Sequence, residues 1–103
     1  MTDAATPTGP LFYKSTAVFD EHSLPAGLRR NHRTKAGTWG IIRVLSGQVR
    51  YVILNPLSET MLDPDHPGRV LPEQLHFVEP IGAVRMQIEF YDRNPGASVL
   101  ILP

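Results

Sequence analysis

The sequence contains no cysteine. Disulfides, thiolate zinc sites, iron–sulfur clusters and a cysteine nucleophile are excluded together. Charge of one sign is not in excess either, since ten Lys/Arg balance ten Asp/Glu in 103 residues. A large nucleic-acid footprint needs basic residues in excess to displace counterions, and a polybasic membrane anchor needs the same surplus. No apolar run approaches the ~18 residues of a membrane-spanning helix. The opening segment Met1-Thr2-Asp3-Ala4-Ala5-Thr6-Pro7 lacks a basic stretch followed by an apolar one. No signal peptide is visible there, and a cytoplasmic location is the expectation. Long uninterrupted windows are also scarce, because ten prolines and eight glycines are spread along the chain. Few stretches can hold a helix of three turns, so the composition points to β structure.

What is present suits one folded domain. Apolar residues make up 42% and charged residues 19%, a balance that supports a core rather than disorder. Residues 1–10 are small and polar with two prolines and read as a flexible tail, leaving 11–103 as the domain. Short strands are expected at Tyr13 to Phe19, Leu28 to Thr34, Trp39 to Leu45 and Gln48 to Leu54, the last two joined by a hairpin at Ser46-Gly47. Gln48 to Leu54 is apolar on both faces and belongs inside a sandwich or barrel. Glu59 to Leu62, Val70 to Pro72, Leu75 to Val78, Ala83 to Tyr91 and Ser98 to Leu102 complete the series, with a turn at Pro80 to Gly82. Many short strands with turn residues between them mark a β-sandwich or barrel.

Four histidines carry the candidate chemistry. His22 sits in a polar turn and His66 in an Asp-Pro loop, and both read as solvated surface. His32 lies in Arg30-Asn31-His32-Arg33-Thr34-Lys35-Ala36-Gly37-Thr38-Trp39, ahead of the strong strand. His76 follows Gly68, Pro72 and a short turn that delivers one imidazole onto a strand. For each, a functional role and a packed, hydrogen-bonded role are equally open.

The order of a His at a strand end, a hairpin closing at Gly47, a Pro-rich loop and a second His resembles the two-motif layout of the cupins. More closely, Leu24-Pro25, His32 to Trp39, Pro72 to His76 and Gln87 to Tyr91 resemble the TehB/YeaR-like small cupin domain family. The resemblance spans roughly residues 12–92. It implies an all-β, single-domain cupin (a double-stranded β-helix or jelly-roll barrel) of the kind found at the N-terminus of tellurite-resistance methyltransferases and as a stand-alone protein. Two departures stand out. Thr34 replaces the second His of the general first motif, and no Glu lies between Thr34 and Gly47. No Gly-x-Gly loop follows a strand, so methyl transfer is not carried over with the domain.

A divalent metal, zinc by preference, would then rest on His32, His76 and one further group. Glu89 is the first choice and Gln87 stands nearly level with it, because both share one face of their strand. Two His and one carboxylate form a known divalent set with open positions. Arg29, Arg30, Arg33 and Lys35 crowd the first motif, either as a solvated edge or as a basic rim that draws an anion. Arg33, Thr34, Lys35 and Gln87 are the candidate ligand-binding residues, and Trp39 and Tyr51 read as core aromatics. Two functional readings follow. One is a metal-binding cupin acting on oxyanions or in stress response; the other is a metal-free module that binds a small organic anion or regulates a partner. No residue is assigned to catalysis. A homodimer is expected from the apolar surfaces of Gln48 to Leu54 and Ser98 to Leu102.

Overall fold

The computed structural model describes residues 12–95. Strands β1 (Phe12–Ser15), β2 (Phe19–Asp20), β3 (Trp39–Leu54), β4 (Leu57–Leu62), β5 (Gly68–Val70) and β6 (His76–Tyr91) join in one antiparallel, six-stranded sheet. Its order is β1-β6-β3-β4, with β2 beside β6 and β5 beside β3. The helical content among the described residues is one 3₁₀ turn, Ala26–Arg29. No helix there is long and apolar enough to cross a membrane.

Two 16-residue strands replace four short ones. Ser46-Gly47 does not close a hairpin, and Pro80 to Gly82 does not end a strand. The two breaker segments sit opposite one another on the β3–β6 ladder, which runs from Trp39 against Tyr91 to Ile53 against His76. Register shifts fall between Val44 and Ser46 and between Ser46 and Gln48. Gly47 adopts φ 83° and Gly82 φ 71°. The surplus residues are taken up as bulges, which bend both strands at the same level without reversing them. One residue of slip also moves the inward set of β3 from Ile42 and Val44 to Val49 and Tyr51, all of them in the core. The bent sheet encloses these residues with Val78, Val84, Met86 and Ile88.

The bend accounts for the apolar residues on both faces of Gln48 to Leu54. Val49 and Tyr51 join the core, and Val52 is buried on the opposite face. Val52 pairs across the ladders with Glu59 and Phe77. Arg50 clamps the same neighbourhood: its guanidinium reaches Glu59 at 2.7 Å and Glu79 at 3.1 Å and lies 5.8 Å over the Phe77 ring. The surface expected to support a homodimer is therefore consumed within one chain on this strand. The other support, Ser98 to Leu102, lies outside the described residues, as do residues 1–10.

Three further expectations change. Tyr13 to Phe19 is divided between β1 and β2. Leu28 to Thr34 is no strand: Leu28 belongs to the 3₁₀ turn, and His32 makes an isolated bridge to His76. The jelly-roll barrel holds at its coarser level, as an all-β single domain whose strand path is an open sheet bent upon itself.

Candidate functional site

Asp20 starts the segment that closes over the core. Its Oδ1 accepts the backbone N–H groups of His22 and Ser23, each at 2.8 Å. Those two donors stabilise the carboxylate and hold its pKa below the ordinary value. The turn tightens through the Leu24 N–H to the Asp20 carbonyl at 3.0 Å, and Leu24 is buried in the core. The chain then crosses the 3₁₀ turn and docks on β6 through a reciprocal pair of bonds. The His32 N–H donates to the His76 carbonyl at 2.8 Å, and the His76 N–H donates to the His32 carbonyl at 2.9 Å.

This bridge brings two imidazoles together. Their ring centroids lie 5.5 Å apart with planes at 84°, and Tyr51 approaches the other side of His76 at 5.7 Å and 76°. His76 is buried, with Nδ1 2.9 Å from the Gln74 carbonyl oxygen. A carbonyl only accepts, so Nδ1 carries the proton. Burial lowers the His76 pKa; the Gln74 bond opposes this and the charge of His32 adds to it. The ring is neutral at pH 7, with its lone pair on Nε2. Burial also pushes the Tyr51 phenol up to about 12. Its hydroxyl donates to the Arg69 carbonyl at 2.8 Å.

The imidazoles form one side of a cavity of about 380 Å³, between the 3₁₀ turn and the sheet. Phe19, Leu28, Val70, Ile88 and Phe90 make most of the wall; Thr16 and Thr34 add hydroxyls. Both hydroxyls are committed to the backbone. Thr16 Oγ1 donates to the Ala17 carbonyl at 2.8 Å and accepts the Ile88 N–H at 3.0 Å. Thr34 Oγ1 donates to the Thr38 carbonyl at 2.9 Å. Among the described residues no carboxylate, lysine or arginine lines the cavity. Its polar handles are thus the two imidazoles.

The sequence candidates divide among different places. His32, Thr34 and His76 line the cavity. Arg33 and Lys35 border a neighbouring depression with Lys14, which shares His32, Thr34 and Phe90 with the cavity. Arg29 and Arg30 flank another, beside Asn31 and Phe77. Glu89 lies on the far face of the sheet, where its Oε1 accepts from Arg43 Nε at 3.0 Å and from the Tyr91 hydroxyl at 3.1 Å. Gln87 shares that face by strand alternation, while Met86 and Ile88 face the core. His66 bonds Asp63 at 2.8 Å in an exposed loop. The sequence reading missed Phe19, Leu28, Ile88 and Phe90 as site residues. Their one signal was to be apolar, which core residues share.

The metal assignment fails on donors. Among the described residues no group of three or more His, Cys, Asp or Glu is placed to hold a metal ion. The reason is the parity of β6: with Ile88 and Phe90 turned to the cavity, Glu89 must turn away.

Residues 14–88 match the TehB-like domain. Curated relatives include the probable S-adenosyl-L-methionine-dependent methyltransferase TehB of Haemophilus influenzae, from strain 10810 and strain KW20/Rd. Each is 33% identical over 72 residues, which cover 65% of this chain and 25% of the relative. The chain therefore spans about a quarter of the length of these relatives. The crystal structure of TehB from Haemophilus influenzae superposes with a TM-score of 0.76 at 27% identity, over 84% of this chain and 32% of that one. A crystal structure of a protein from E. coli strain K12 gives a TM-score of 0.74 at 20% identity, over 88% of this chain and 96% of that one. That second likeness is one of fold alone. These relatives, together with the donor set, overturn the zinc-binding cupin. The activity printed for these relatives, methyl transfer with S-adenosyl-L-methionine, also differs from the metal-free anion-binding or regulatory alternative.

Proposed function

The chain belongs to the TehB-like domain family, and from that premise we propose that it is a substrate-side β-domain serving methyl transfer from S-adenosyl-L-methionine. In this reading the cavity receives a small, uncharged methyl acceptor or methylated product. The observation that carries it is the cavity itself: apolar walls, two imidazoles and, among the described residues, no charged lining residue. An ion would lose its hydration there without a counter-charge, at a cost of several kcal/mol. A neutral molecule loses little and gains by covering Phe19, Leu28, Ile88 and Phe90.

The lining does not fit the methyl donor. S-adenosyl-L-methionine brings a sulfonium, an amino-acid head and ribose hydroxyls. The described residues of the lining offer no carboxylate for cation or ribose, and both threonine hydroxyls are spent on the backbone. No methyl-transfer step is therefore routed through these residues; in the proposal they hold and orient the partner molecule while a separate catalytic unit binds the donor. Arg33 and Lys35 belong to the neighbouring depression in this reading, with Lys14, and meet an arriving ligand before the cavity does. A link to tellurite resistance follows from the family resemblance.

The test is an NMR titration of the full chain with dimethyl selenide, sodium tellurite and S-adenosyl-L-methionine in turn. Dimethyl selenide should shift the amides of Leu28, His76, Ile88 and Phe90. The other two should leave them in place. Saturable shifts of those amides by S-adenosyl-L-methionine, or none with dimethyl selenide, would overturn the proposal.

A further inference from the structure

We infer that the cavity selects a neutral molecule bearing a hydroxyl or thiol, whose proton is accepted by Nε2 of His76. This rests on the cavity being a ligand site and adds the chemistry of its occupant. The inference comes from accounting for the polar groups of Thr16, Thr34 and His76 in the lining. Thr16 and Thr34 have directed their hydroxyl protons to the Ala17 and Thr38 carbonyls. The His76 Nδ1–H is held by Gln74 O at 2.9 Å. On His76, Nε2 is left, an acceptor without a partner among the described residues, on a ring that lines the cavity. Among the described residues it is not fully enclosed, unlike Gln74 Oε1. A small probe can therefore reach it.

The orientation of His76 is not free to reverse that polarity. Backbone bonds to His32 fix the strand on one side, Gln74 O fixes the ring nitrogen, and His32 and Tyr51 stand edge-on to the ring at 5.5 and 5.7 Å. Flipping the ring would turn Cδ2–H toward the Gln74 carbonyl in place of Nδ1–H, so the present orientation and tautomer are the ones that satisfy that acceptor. A hydroxyl or thiol suits the site doubly. It donates to His76 Nε2, and its lone pairs can face the neighbouring His32 ring. An ether or thioether of the same size supplies only lone pairs and leaves Nε2 dry and unpaired. A carboxylate adds charge with no lysine or arginine in the lining to meet it.

One neutral hydrogen bond is worth about three- to tenfold in affinity. The probes are phenol, anisole and toluene, close in size and shape and differing in the donor. Calorimetry on the full chain should place phenol about three- to tenfold tighter than anisole or toluene. In His76→Phe the three affinities should converge. The ¹⁵N resonance of His76 Nε2 should move upfield with phenol and stay in place with toluene, a readout that needs no variant. Equal affinities for phenol and anisole in the native chain, with no movement of that resonance, would overturn donor selection and leave the cavity reading standing. Failure of all three probes to bind would remove the cavity reading and this inference with it.

Discussion

His32 and His76 exchange both backbone hydrogen bonds, at 2.8 and 2.9 Å, and set their rings edge to face with centroids 5.5 Å apart. They are 44 positions apart in the chain (76 less 32), and neither belongs to the other's strand. The bridge therefore does two jobs. It pins the segment after the 3₁₀ turn against β6, and it places two imidazoles on the same side of an apolar cavity.

The first prediction concerns pH. His76 should titrate below the ordinary 6.5, because burial disfavours its charged form and His32 repels it. The titratable groups against its ring are His32 and Tyr51, and Tyr51 stays protonated up to about 12. With a depressed folded-state pKa, the unfolded chain binds the proton more readily. The stabilisation is fully present above about pH 6.5 and is lost as pH falls from there toward the folded pKa. Urea melts between pH 7.5 and 5 should show this decline, and His76→Phe should flatten it. NMR of the His76 ring protons would read the pKa directly, and a value at or above 6.5 would contradict the assignment.

Gly47 and Gly82 should differ sharply on substitution, although both have positive φ. At Gly47, φ 83°, a Cβ would collide with the Ala83 carbonyl oxygen and come within 3.1 Å of Val84. At Gly82, φ 71°, a Cβ meets nothing within 4 Å. Gly82→Ala should cost the conformational term alone, about 1–2 kcal/mol. Gly47→Ala adds overpacking at the fold line, for a total of about 3–5 kcal/mol. Equilibrium denaturation of the two variants measures the difference directly.

Glu89→Ala should destabilise the domain and leave ligand binding alone. Its carboxylate joins Arg43 and the Tyr91 hydroxyl on the far face of the sheet, with Glu89 and Arg43 side chains only 18% and 19% exposed. Losing charged hydrogen bonds of that kind costs about 1–3 kcal/mol. A denaturation midpoint shift with unchanged phenol affinity is the expected pair of results. Loss of phenol binding at unchanged stability would place Glu89 in the site after all.

Tyr51→Phe removes the bond to the Arg69 carbonyl and keeps the ring against His76. The cost should be about 1 kcal/mol, the net value of one such bond. Alkaline titration of the native chain by ultraviolet difference absorbance should show one phenol titrating near 12, and it should vanish in Tyr51→Phe.

Much of the architecture was readable in the residues. Glycine and proline are spread too evenly for long helices, and alternation from Ala83 to Tyr91 names a strand. The two histidine segments stood out by their turn chemistry, and family resemblance fell on the segment that matches the TehB-like domain, residues 14–88. The turn readings that failed depended on what lay opposite. Ser46-Gly47 and Pro80 to Gly82 each look like a chain reversal when read alone. Facing each other across one ladder, they become a shared bend, because bulged backbone on one strand is tolerated where its partner can bend with it.

The face presented by β6 was the other point beyond sequence. Alternation from Val84 to Tyr91 separates two sets of side chains but carries no sign saying which set is enclosed. The sequence by itself determined the class of fold, the strand that carries Glu89 and the two histidine segments set apart by their turns. Tertiary structure decided the sign: the slip in β3 and the bend at Gly47 turn Met86 and Ile88 into the core, so Phe90 reaches the cavity while Glu89 reaches Arg43. A polar partner was within reach on the far face and an apolar enclosure on the near one, and burial of the apolar set is the larger free energy.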